Sequence, residues 1–428
     1  MITIGLDFGT HQTKVCVENK NGSETHYQFH RFMDNEGTMR YTLPSIICIT
    51  PDNKLKYGYI DVNTEGVFKR YFKQAVFRDT NSPNMQLWEA ACYSIWYLAY
   101  ILFDLEEKYG NQFTIQMGTP TDSSHIDDRK AIAVSILVSA YKLVEDVFHN
   151  NKEEFLNTDY NKLIELTEIV RYSDKVKKAY GILVFPESYA CLMPVIGRGK
   201  IAHGMNLIID IGGGTTDISF FTIEESIKKS KVYHPQLYDF YSLNKGLNYL
   251  TLQDTATDAL LFKDVHIIKD VEIDKTRSSV YFNEINNLCI NLVERLKREW
   301  TSQTVHDKGK LLNALKNRPV IYTGGGSTIG LLRRTYGGFQ ETHIISYDNW
   351  KSKQFDDKTL FSNYAMCPLL STAYGLSISV ANDVIVKKPF RDIFKDRRND
   401  VPDSEVNKRE LGKDFGGFDY GDDWDAWK

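Results

Sequence analysis

The chain has 428 residues, 42% of them hydrophobic and 25% charged, with a formal net charge of −4. These values suit a folded protein of two to three domains and exclude the profiles of disordered and fibrous chains. The near-neutral balance offers no broad basic field, so direct nucleic-acid binding is not expected.

Met1 runs straight into an apolar stretch without the basic and long apolar regions of a secretory signal, and the apolar run around residues 96–103 is too short to span a bilayer. Cys16, Cys48, Cys92, Cys191, Cys289 and Cys367 are scattered, without CxxC or metal spacing. Buried free thiols, a cytoplasmic location and no membrane attachment are the expectation.

In chain order, residues 2–7 predict a strand, Gly9 and Thr10 a turn, and residues 14–18 a second strand followed by an Asn21-Gly22 hairpin. Apolar periodicity predicts helices over 85–108 and 127–147. Residues 151–178, rich in Lys, Glu, Asn and Asp, read as an exposed insert. At 206–222 a strand, a turn and a strand recur, which suggests a duplicated core. Phe282, Ile285, Leu288, Cys289, Leu292, Leu296 and Trp300 mark a helix over 279–303. A buried strand at 319–323 ends in three glycines, and 367–380 reads as a small-residue helix. Beyond Pro389 the chain is polar and charge-dense, a tail without its own core.

Both strand-turn-strand units carry an aspartate at the strand end, then glycine and threonine: Asp7, Gly9 and Thr10 in the first, and Asp210, Gly212, Gly213, Gly214, Thr215 and Asp217 in the second. Glycine lets a backbone approach phosphate closely, successive N–H groups can cradle it, and a threonine hydroxyl can bond its oxygens. An aspartate there would repel phosphate unless a cation intervened, so Asp7 and Asp210 make most sense as ligands of Mg²⁺, through water. Neither loop is GxxxxGK[ST] or a GxGxxG opening a helix.

Together these segments resemble the sugar kinase, heat-shock chaperone and actin superfamily, and within it the nucleotide-binding domain of DnaK-type chaperones, the heat shock protein 70 family. The resemblance rests on IGLDFGT (4–10), LPSIICI (43–49), PESYACL (186–192), LIIDIGGGTTDIS (207–219), TGGGST (323–328) and STAYGLS (371–377), with ERLKR (294–298) resembling the chaperone helix that grips adenine and ribose. It implies an α/β, two-lobed actin-like ATPase fold, each lobe with a ribonuclease-H-like core and an inserted upper subdomain. It implies lobe I at 1–197, lobe II at 198–364, a hinge helix at 365–389 and a tail at 390–428. By the same resemblance Asp7 and Asp210 hold Mg²⁺, and Gly9, Thr10, Gly212, Gly213, Gly214 and Thr215 meet the phosphates. Glu187 orients the attacking water beside Asp210 and Asp217. Gly325, Gly326 and Ser327 line the adenosine pocket opposite Glu294, Lys297 and Arg298, and Gly246 approaches the ribose.

The sequence departs from that family in places. Val62 stands where the chaperones carry a catalytic lysine; Lys14, placed as the phosphate-binding lysine of actins, is favoured as its substitute, with Lys69 and Lys73 as alternatives. Ile329 replaces an adenine-stacking arginine, for which Arg333 or Arg334 could compensate. The second lobe's upper subdomain reads as trimmed, and client binding through a chaperone-type peptide-binding domain is not expected.

The resulting expectation is a Mg²⁺- and ATP/ADP-binding, ATP-hydrolysing switch that acts through a protein partner or co-chaperone. The aromatic and acidic tail (Phe415, Phe418, Tyr420, Trp424, Trp427) is a candidate docking motif. The alternative is a self-assembling, filament-forming actin-like ATPase of the plasmid-segregation type. A small-molecule kinase ranks last for want of a catalytic base.

Overall fold

The structure is a computed structural model. It describes residues 1–61, 63–77, 85–120, 126–171, 181–196, 201, 204–225, 233–251, 273–301, 318–350 and 354–378. Val62 and the tail lie outside these residues, as do the side chains of Lys297 and Arg298.

Among the described residues, ten strands form two sheets with the same strand order, the first carrying in addition the short strand Leu43–Pro44 beside its second member. The first contains β1 (Ile2–Asp7), β2 (Gln12–Asn21), β3 (Glu24–Phe29), β4 (Phe113–Thr119) and β5 (Ile182–Pro186) in the order β5-β4-β1-β2-β3. The second contains β6 (Gly204–Ile211), β7 (Thr216–Glu225), β8 (Tyr233–Leu243), β9 (Pro319–Thr323) and β10 (Glu341–Ile344) in the order β8-β7-β6-β9-β10. In each, the first three strands are antiparallel neighbours and the last two run parallel to the first. The duplication suggested by the two glycine turns is thus a duplication of a mixed α/β sheet.

The helices that bear on the site are α1 (Phe72–Val76), α2 (Leu87–Tyr109), α3 (Ile126–Lys142), α4 (Glu187–Ala190), α5 (Leu247–Leu250), α6 (Lys275–Thr301) and α7 (Met366–Ser377). The side-chain period of two in a strand divides the core into three layers. Ile4, Leu6, Val15 and Val17 point to one outer layer with α2 and α3. Leu207, Ile209, Ile211, Val320 and Tyr322 point to the other, with Phe282, Ile285, Cys289 and Leu292 of α6. Cys16 of the first sheet and Ile208 and Ile321 of the second turn instead into a middle layer, built by the 189–196 segment, α7, Trp350 and Phe355. Both sheets therefore share one hydrophobic body.

That sharing depends on missing side chains. A Cβ on Gly5 would lie 2.2 Å from the Ser377 nitrogen and 2.4 Å from the Ala373 oxygen, so α7 lies directly on β1. A Cβ on Gly375 would lie 1.7 Å from the Ala190 oxygen. The PESYACL and STAYGLS segments, far apart in sequence, meet backbone to backbone.

Several boundaries differ from the sequence expectations. LPSIICI is two short strands: Leu43–Pro44 pairs with β2, and Ile47–Ile49 is the middle strand of a separate three-stranded sheet. The region expected as an exposed insert forms helices Lys152–Asn157 and Tyr160–Arg171, with Phe155, Leu163 and Val170 buried in the first core. Trp96 donates from Nε1 to Thr167 Oγ1 at 2.7 Å, which anchors it to α2. Its polar composition hid an apolar stripe of period three to four.

Gly375→Ala is expected to cost about 1–3 kcal/mol, the usual range for overpacking, because the new methyl meets backbone rather than a flexible side chain. Chemical denaturation of parent and variant measures this; equal midpoints would show that the contact is not tight.

Candidate functional site

The two glycine turns face each other. The first joins β1 to β2; Ser45 Oγ donates to the Gly9 oxygen at 2.7 Å, and a Cβ on Gly9 would lie 2.1 Å from the Gln12 oxygen. The second joins β6 to β7 and is closed by Gly212 N–H donating to the Thr215 oxygen at 2.9 Å. The start of α5 supports it: Leu247 and Asn248 donate their N–H groups to the Gly212 and Gly213 oxygens at 3.1 and 2.9 Å. A Cβ on Gly214 would fall 2.7 Å from Thr10 Cγ2, and one on Gly213 2.3 Å from His11 Cγ. Gln74 of α1 adds a bond from Nε2 to the Gly214 oxygen, 3.3 Å.

Around these turns lies a cleft of about 950 Å³ counted with its open mouth, lined by Asp7, Gly9, Thr10, Lys14, Lys73, Glu187, Asp210, Gly212, Gly213, Thr215, Asp217 and Gly325, among others. Its charges are arranged in pairs. Lys14 Nζ stands 2.7 Å from Asp7 Oδ2 and also donates to the Gln12 oxygen at 3.2 Å. Lys73 Nζ donates to Glu187 Oε1 at 2.6 Å, with both side chains buried. Thr215 Oγ1 donates to Asp217 Oδ2 at 3.3 Å.

Four lining carboxylates face two lining lysines, and the excess of negative charge opposes ionisation of the acids. Burial, then the charges of Asp217, Glu187 and Asp7, push the Asp210 carboxyl well above the usual carboxylate range. Burial and the charge of Glu187 push Asp217 up to about 7. Burial opposes the charge on Lys73, yet Glu187 and Asp7 hold its ammonium above the ordinary value.

A divalent cation fits this deficit. Among the described residues no three His, Cys, Asp or Glu side chains are grouped to grip a metal directly.

The third glycine segment follows β9. Gly324, at φ 81°, takes a left-handed backbone, and a Cβ there would lie 2.1 Å from Asp210 Oδ1. Its N–H and the Thr323 hydroxyl both bond the Pro368 oxygen at 3.1 Å, tying this loop to α7.

Not every expected residue reaches the cleft. Gly214 and Gly246 sit just behind its lining, Gly246 with its Cβ position 2.6 Å from the Gly212 oxygen. Gly326 packs on Ile211, and the Ser327 hydroxyl bonds the Gly324 oxygen at 2.7 Å. Glu294 is exposed on α6 and does not line the cleft. Arg333 is bound to the Ser327 oxygen at 2.6 Å, and Arg334 lies 3.5 Å over the Phe282 ring; neither lines the cleft. Lys69 is turned onto the Tyr93 ring. Lys14 and Lys73 both line the cleft, so the sequence alternative between them resolves into two residues with different partners. His11 and Gln12 line it as well; their place inside the first glycine motif was the available signal.

No family model and no curated protein matches the sequence. The backbone matches chains among solved structures. One is MreB 5 of Spiroplasma citri, solved bound to AMPPNP, with 14% identity, 93% of this chain and 98% of that chain covered, and a TM-score of 0.42. Similarity at that level assigns no activity.

The raised Asp217 carboxyl gives a pH dependence. Its folded value of about 7 exceeds the unfolded value of about 3.9. The folded state therefore holds more protons between the two, and stability falls as pH rises through that window. In nucleotide- and metal-free buffer, the Asp217→Asn variant is expected to lose less thermal stability than the parent between pH 5 and pH 7.5; parallel melting profiles would exclude the raised value.

Proposed function

We propose that the chain binds Mg²⁺-ATP in this cleft and hydrolyses it, with the sheet-bearing halves as the moving parts of an actin-like, two-lobed switch. The observation that carries this reading is the convergence of two Asp-Gly-Thr turns from equivalent positions of duplicated sheets on a cleft short of positive charge. Isolated glycine turns are common; two related by a repeated topology and facing one another make a cradle for a chain of phosphates.

In this reading Gly9, Thr10, Gly212, Gly213, Gly214 and Thr215 bind phosphate oxygens. A hydrated Mg²⁺ between Asp7 and Asp210 would neutralise phosphate charge. Lys14 supplies a fixed positive charge beside the first turn. Glu187 orients the attacking water, and Asp217 stands by to share its proton. Lys73 sets the direction of the Glu187 carboxylate through its 2.6 Å bond. Gly325, with Gly326 and Ser327 behind it, forms the wall for adenosine, and Gly246 backs the ribose side.

Two uses of the switch stay open: self-assembly, and action through a protein partner or co-chaperone. The position of Lys14 inside the cleft supports the first, since that is where an actin-like phosphate lysine would stand. Among the described residues no helix is long and apolar enough to cross a membrane.

Glu187→Gln is expected to keep nucleotide affinity within a few-fold while turnover falls by roughly 10²–10⁴, the usual contribution of a positioned base. Phosphate release and equilibrium binding measure the two; unchanged turnover would remove Glu187 from this role. High-speed sedimentation with Mg²⁺ and ATP, a non-hydrolysable analogue, or ADP separates the uses. A pellet formed only with triphosphate is the expected result for self-assembly, and a protein that stays in solution in every state returns the partner-driven switch to first place.

A further inference from the structure

His11 is the one side chain in the first glycine turn for which the phosphate motif alone provides no task. It lines the cleft between Thr10 and Gln12. Its ring lies across the gap between the halves, against the backbone of Gly213, where a Cβ would be 2.3 Å from Cγ and 2.5 Å from Nδ1. Asn248, at the start of α5, hydrogen-bonds the ring, and the Tyr71 ring centroid is 6.0 Å away. The imidazole therefore touches the second phosphate turn and the residue that supports it.

The charged groups bearing on it are Lys14 from β2 and Arg70 from the segment before α1, while Asn248, Gly213 and Tyr71 bring no fixed charge. Burial, and then these two cations, lower the imidazole to about 4, so the ring is neutral at pH 7 in the cleft as it stands. A polyphosphate lodged between the turns reverses the sign of the local field. The ring then stands against several negative charges, in a place of low dielectric where such interactions are strong.

We infer that His11 is a phosphate-contacting residue of the cleft, which becomes an imidazolium and takes up a proton when an anionic nucleotide binds across the two turns. This rests on the nucleotide-binding reading above. Linkage fixes the sign: a ligand that raises the pKa of a group binds more tightly as pH falls toward that pKa. His11 then senses the phosphates from the first half and passes the contact to Gly213 and Asn248 of the second.

The test uses the full chain, Mg²⁺ and a non-hydrolysable ATP analogue, by calorimetry at one pH in buffers of different ionisation enthalpy. The parent is expected to take up more protons than His11→Gln or His11→Asn, a difference that cancels the titration of the analogue itself. Parent affinity is expected to exceed that of the variants by about tenfold near pH 6.5, the equivalent of one pKa unit, with the gap narrowing by pH 8.5. Selective histidine labelling supplies a readout that needs no variant: at pH 7 one ring resonance should move to the imidazolium position on adding analogue. Equal proton uptake in parent and folded variants, with no ring resonance shifting, overturns the proposal while nucleotide binding stands. A parent that binds no nucleotide at any pH overturns the functional reading and this one with it.

Discussion

Crowding of like charge governs this cleft. Asp7, Glu187, Asp210 and Asp217 approach from four different strand ends and turns, in a place where burial already disfavours ionisation. Two lysines, each within ion-pair distance of one acid, keep the arrangement tolerable. What remains is a site biased toward further positive charge and toward protons, and the glycine turns that frame it have no side chains with which to fill it. Removing one acid relieves repulsion, whereas removing one lysine leaves a buried carboxylate unpaired, the costlier change in a dry site.

The acids can converge because the backbone is brought unusually close at three points. Gly5 and Gly375 let α7 touch β1 and the PESYACL segment, and Gly324 bends around Asp210 with a backbone that other residues adopt only under strain. None of these glycines contacts a phosphate in the proposed arrangement. Their work is to set the distance between the elements that do.

Much of this was legible in the residues. The aspartate-glycine-threonine order, repeated between apolar runs, pointed to equivalent strand pairs, and the two sheets carry them at the same place in the strand order. Segments that depend on local pattern, such as α2 and β9, fall close to their predicted bounds. What escaped was non-local. Lys73 was one of two lysine alternatives that the sequence could not rank, and only the tertiary pairing with Glu187 marks it out from Lys69, which turns to an aromatic ring instead. Helix Tyr160–Arg171 was masked by its polar face. His11 carried no signal of its own in the sequence, because its contact is with Gly213, some two hundred residues away.

The middle layer has a consequence for how the molecule comes apart. Cys16, Ile208, Ile321, Trp350, Phe355 and Tyr374 belong to one apolar body although they derive from both sheets and from the segment that follows the second. Cutting the chain between the repeats would leave each fragment with a wet aromatic face in place of a core. With that face shared between the sheets, the two repeats are expected to unfold together rather than as two tethered modules.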